Sequence, residues 1–231
     1  MNKTAAAAPA LWPVPYCHDL ITPLPFAIEA RDDSWRPLHQ AWRTEPETGF
    51  QPGWARVLWQ SRHLVFEALF AGKSLRNSAR KFNERTWESG DVCEVFLEDT
   101  TAPHYIEIHV TPENQRLQLR FPHDGLEAVR SGRAQLEEFM IHDADWVQTE
   151  TVLTKDHLSV RVIIPSSILG GDQPILNCTR NFRAAVCRYD YRARSDNPIL
   201  SSTAPLNGPL FHQRDAWAPL KLGPKNSGDA L

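Results

Sequence analysis

The chain has 231 residues, enough for one large β domain or two small ones, and all-β sandwiches of this size commonly fold as one unit. Its hydrophobic fraction of 42% and charged fraction of 23% suit a globular protein with a real core. A formal net charge of −3 offers no basic footprint, which speaks against nucleic acid and anionic membranes as partners, and no apolar run approaches the roughly 20 residues that span a bilayer.

The first nineteen residues, with Lys3, a short alanine run and Pro9, resemble an interrupted signal peptide and read as an unstructured leader (1–19). The expected location is cytoplasmic, or secreted if the true start lies upstream. Residues 20–223 read as a single domain and 224–231 as a polar tail. Cys17, Cys93, Cys178 and Cys187 form no CxxC pair, and they are expected as free thiols of a reducing compartment, with Cys93 and Cys187 inside strand-like runs. Eighteen prolines punctuate the chain and leave little room for long helices.

Asp33 to Trp42 reads as a short helix. Trp54 to Gln60 (WARVLWQ) and His63 to Phe70 (HLVFEALF) then form a hairpin across a short polar turn. Three further strands follow: Asp91 to Glu98 (DVCEVFLE), His104 to Thr111 (HYIEIHVT) and Gln115 to Phe121 (QRLQLRF). Each alternates with period two. Cys93, Val95 and Leu97 oppose Val92, Glu94 and Phe96; Ile106, Ile108 and Val110 oppose Tyr105, Glu107 and His109; Leu117, Leu119 and Phe121 oppose Arg116, Gln118 and Arg120. This predicts a sheet with an apolar back on a core and a mixed polar front open to solvent. Asp145 to Leu153 and Leu158 to Ile164 read as a second hairpin. A helical turn at Pro165 to Leu169, stopped by Gly170-Gly171, precedes strands at Phe182 to Tyr191 and Trp217 to Leu222. The fold class is therefore all-β: a two-sheet antiparallel β-sandwich of jelly-roll or immunoglobulin-like type, with about ten strands and one or two short helices.

The stretch WESGDVCEVFLEDTTAPHYIEIHVTPENQRLQLRF (Trp87 to Phe121) resembles the signature of family 9 carbohydrate-binding modules and their DOMON-like relatives. FRAAVCRYDY resembles that family's late strand ending in Arg, and FHQRDAWAPLKL resembles its closing segment. The resemblance spans roughly residues 20 to 222. It implies a β-sandwich, recognition of a saccharide, frequent structural calcium and association with carbohydrate catabolism. It assigns Trp87 to the first of two rings that clamp a sugar, offset by one residue, and Glu94 to a hydrogen bond with a sugar hydroxyl. It aligns Arg188 with the late Arg. The second clamp ring falls near Ser202, where the sequence has no aromatic, and Trp217 and Ala218 replace a usual Phe and Gly.

The expected function is non-catalytic saccharide binding by Trp87, Glu94, Glu107, His109, Arg120 and Arg188, which combine a stacking ring with hydrogen-bond donors and acceptors. This rests on Glu94, Glu107 and Arg120 reaching one common surface beside Trp87. The alternatives are a glycoside hydrolase or accessory domain using Glu94 and Glu107, or a fold relative turned to a protein partner. For metals, no HxH, HxxxH or HExxH spacing occurs, and Asp143 and Asp145 are the weak calcium candidates. Met140 and His142 lie too close in sequence to oppose one another across a haem. No other cofactor is expected.

Overall fold

The alternating runs become strands that pair in two sheets. The computed structural model describes residues 8–17, 23–60, 62–169, 181–191 and 197–223. Cys178, Gly170-Gly171 and the tail 224–231 lie outside the described residues. The strands are β1 (Trp12–Val14), β2 (Arg36–Pro37), β3 (Gly53–Gln60), β4 (His63–Ala71), β5 (Val92–Asp99), β6 (His104–Val110), β7 (Arg116–Pro122), β8 (Gln148–Leu153), β9 (His157–Pro165), β10 (Phe182–Asp190), β11 (Ile199–Ser202) and β12 (Ala218–Leu222). A single α-helix, α1 (Gly125–Arg130), follows β7, and Ser166–Leu169 form a 3-10 turn where a helical turn is expected. Among the described residues no helix is long and apolar enough to cross a membrane.

One sheet runs β1-β12-β10-β5-β6-β7, with β11 sharing an edge of β10, and the other runs β2-β3-β4-β9-β8. The pairings are antiparallel except for β1 on β12. Between the sheets lies the main core, built from Val57, Trp59, Leu64, Phe66, Val95, Ile108, Val160 and Val186 among others. This is the all-β sandwich that the alternation predicts.

Three local expectations are corrected. Trp12–Val14, inside the expected leader, form β1, with Trp12 and Val14 buried in the core. An alternation only three residues long, with Pro13 inside it and Pro15 after it, is too short to register as a strand signal. Asp33 to Trp42 is not helical: Arg36–Pro37 pair with β3, since Pro37 is suited to an edge strand and removes a helix donor.

The front of the first sheet is also not open. Phe96, Tyr105, Leu117, Leu119, Phe121, Ala185 and Cys187 form a second apolar layer, closed over by Leu136, Leu206, Phe211 and Trp217. That sheet is buried on both faces, and every residue of β5 is buried.

Candidate functional site

A cavity of about 240 Å³ remains in the second layer. Its floor is polar and its walls largely apolar. Glu94, Glu107 and His109 lie at the floor; Trp87, Leu119, Leu136, Tyr189, Leu210 and Phe211 contribute walls; Arg85 and Arg130 also line it.

Strand register explains the floor. Glu94 on β5 pairs with His109 on β6, and Phe96 pairs with Glu107, so the two carboxyls and the imidazole share the front face. His109 lies between the carboxyls. Its Nε2 is 2.6 Å from Glu107 Oε1, and its Nδ1 is 2.9 Å from Thr86 Oγ1 and 3.3 Å from Glu94 Oε1. His212, on the loop after β11, reaches the same floor, with Nε2 3.7 Å from Glu107 Oε2 and Nδ1 3.0 Å from the Tyr105 hydroxyl.

Burial and charge act against one another here. Glu94 is pushed up to about 8 by burial, with the Glu107 charge adding to the rise and His109 opposing it. For Glu107, burial also disfavours the charge, but His212 and the hydrogen bond and charge of His109 outweigh it and hold the carboxyl below its ordinary value. Burial disfavours a charged His109, yet Glu94 and Glu107 together raise it. His212 is lowered, chiefly by burial, against the pull of Glu107. The floor thus holds an ionised Glu107 against His109, with a protonated Glu94 beside them.

Trp87 comes from a 3-10 turn, Thr86–Glu88, between β4 and β5. The turn is fixed by the Tyr191 hydroxyl, which donates to the Trp87 carbonyl at 2.7 Å, and by Asn77 Nδ2, which donates to the Thr86 carbonyl at 2.8 Å. Gly90 closes it at φ +141°, where any side chain would collide with the Arg76 carbonyl. The Trp87 ring stands edge-on to His109 at 5.5 Å.

Two expected members are elsewhere. The β6–β7 register pairs Glu107 with Leu119 and Ile106 with Arg120, so Leu119 joins the cavity while Arg120 turns to the opposite side of the sheet and lies over the Trp146 ring. Gln118 follows it and donates to the Asp143 carbonyl at 2.9 Å. Arg188 is paired with Cys93 and faces the main core, where it is 2% exposed. It donates to the Ala71 carbonyl at 3.1 Å, meets Asp190 at 3.3 Å and lies over Phe70. The expected common surface of Glu94, Glu107 and Arg120 is therefore not formed: Arg120 and Arg188 lie elsewhere, and Trp87, Glu94, Glu107 and His109 meet in the cavity without them.

Tyr189 and His212 are the residues that sequence reasoning missed. Tyr189 stands on the Cys187 side of β10, which register places beside Glu94, and it supplies an aromatic wall that Ser202 does not. Ser202 is buried in β11 and accepts from the Ala204 amide at 3.0 Å.

The calcium candidates lie in a hydrogen-bonded turn. Asp143 Oδ1 accepts the Asp145 amide at 2.9 Å, and the carbonyls of Asp143 and Ala144 already accept from Gln118 and Arg116. Both carboxylates are exposed. At the cavity floor, Glu94, Glu107 and His109 are the one group of metal-ligating types that converges among the described residues. Glu94 and Glu107 face opposite nitrogens of the one imidazole, so the arrangement is that of a proton-sharing chain.

The sequence matches no protein-family model and no curated protein. Solved structures do match. A protein from Bacteroides uniformis, described as a candidate carbohydrate-binding protein, superposes with a TM-score of 0.68 at 15% identity, covering 94% of this chain and 100% of the other. A family 9 carbohydrate-binding module from Caldicellulosiruptor kristjanssonii, solved with cellotriose, gives 0.55 at 15% identity over 95% and 96% of the two chains. Another structure of a family 9 module from that organism, solved with glucose, gives 0.53 at 16% over 93% and 96%. Across nearly its whole length, the chain has a fold like that of the family 9 carbohydrate-binding modules.

Proposed function

We propose that the chain is a non-catalytic saccharide-binding domain whose ligand enters the cavity between Trp87 and the Glu94–His109–Glu107 floor. The observation that carries the reading is a buried, hydrogen-bonding floor inside an apolar-walled cavity of monosaccharide size. Burying two carboxyls is costly, and a ligand's hydroxyls can partner them while its C–H faces stack on an aromatic ring. Structures of similar family 9 modules hold cellotriose and glucose, which supports the same ligand class here. Titration with mono- and oligosaccharides is expected to change tryptophan fluorescence. Trp87→Ala should weaken binding about twofold to tenfold, from the range of stacking contributions. A flat response across a broad glycan panel removes the proposal.

One observation favours a second reading, hydrolysis. Glu94 is raised and Glu107 lowered, the opposed shifts of an acid and a nucleophile or base. Turnover of aryl glycosides that disappears in Glu94→Gln would replace binding with catalysis.

A further inference from the structure

The floor contains two carboxyls and one imidazole, so when all three are charged it carries one negative charge in excess. The nearest group that could supply the missing positive charge is His212, whose Nε2 lies 3.7 Å from Glu107 Oε2. His212 is disfavoured as a cation by burial. Tyr189 and Cys187, facing the floor from β10, are kept protonated and neutral by burial. Arg85 is engaged by Glu137 at 3.1 Å and Glu88 at 3.8 Å, and Arg130 stands exposed, where solvent screens it. The deficit has a structural mark. Glu107 Oε2 is buried and has no hydrogen-bond partner, although its residue is only 4% exposed and lines the cavity. A buried acceptor left without a donor is costly.

We propose that this floor is a cation subsite and that the saccharide it takes is an amino sugar, whose ammonium donates to Glu107 Oε2 and to Glu94. This rests on the saccharide reading of the cavity and narrows it. A neutral hydroxyl would satisfy Oε2 but would not replace the proton that Glu94 holds. An ammonium does both, and Trp87 offers it an aromatic ring as a further favourable neighbour. In the free protein the deficit is met by a proton on Glu94. When the ammonium enters, that proton leaves to solvent and Glu94 becomes a carboxylate, so charge is conserved at the floor.

The test is calorimetric titration of the full chain with glucosamine, glucose and N-acetylglucosamine at about pH 6.5, where an aliphatic amine is charged, in two buffers of different ionisation enthalpy. The expected result is glucosamine binding at least about tenfold tighter than either neutral sugar, with a proton released only for glucosamine. Glu94→Gln, which keeps the neutral form that burial favours, should abolish the proton release and most of the preference. Equal affinity for glucosamine and glucose overturns the amine proposal and leaves saccharide binding standing. So does binding of other glycans with none of these three. Failure of every saccharide tested removes both.

Discussion

Glu94 is a carboxyl that the folded chain holds protonated, and this makes stability depend on pH. Its folded value of about 8 lies above the ordinary 4.5, so the stability it contributes is complete below 4.5 and is lost as pH rises through about 8. His109 is raised above 6.5, so it adds stability below 6.5 that is lost as pH climbs past its folded value. Asp91, pushed up to about 6 chiefly by burial, acts in the same direction at lower pH. The melting temperature should therefore fall between about pH 6.5 and pH 8.5; below 6.5 His212, His63 and His104, each lowered chiefly by burial, act in the opposite direction. In Glu94→Gln most of the upper part of that slope should vanish, because the substituted amide has no proton to lose. An identical slope in wild type and variant, followed by thermal melting at half-unit pH steps, would contradict the protonated Glu94. At this scale much of the site was legible. Glu94, Glu107 and His109 occur at even spacing within alternating strands, and a carboxyl between Val92 and Phe96 has to find a partner. Arg120 and Arg188 were not legible, because their destinations depend on neighbours that the local pattern does not name.

At the scale of elements, the difficulty lay in β7. Its alternation is clear, but one face bears leucines and the other arginines, and polar residues were expected beside polar ones. The register does the reverse: Leu119 lies against Glu107, and Arg120 turns toward the other side of the sheet. A strand at the edge of a sheet can do this, because a long guanidinium can stack on a ring near the rim and reach outward. The same limit hid β1. Three residues show no usable period, yet Trp12 lies wholly within the core and the strand pairs in register with Leu220 to Leu222. Trp12→Ala should cost about 3–5 kcal/mol in chemical denaturation, the range for a buried tryptophan. An unstructured leader would give a change near zero, so the measurement separates the two descriptions of the N-terminus.

On the scale of the whole molecule, the sandwich was legible because the long strands, β5 and β6 among them, keep one face consistently apolar. The second layer was not, because it is assembled by chain far from the strands it covers. Phe211 meets Phe96 at 6.3 Å and Tyr189 at 5.4 Å, and Trp217 Nε1 donates to the Phe211 carbonyl at 2.9 Å. These contacts convert a face expected to be open into a walled cavity. They also separate two roles along one loop. Phe211 is 3% exposed and holds the cover down, whereas its neighbour Leu210 is 56% exposed while still lining the cavity. Phe211→Ala should therefore lower stability by about 3–5 kcal/mol, since it empties a packed aromatic position. Leu210→Ser should leave stability within about 0.5 kcal/mol, as exposed substitutions usually do. It should nonetheless weaken saccharide binding by about threefold to tenfold through the lost apolar rim. If Leu210→Ser unfolds the protein, or Phe211→Ala leaves its stability unchanged, the loop does not cover the second layer in the way described, and the cavity ceases to be a defined site.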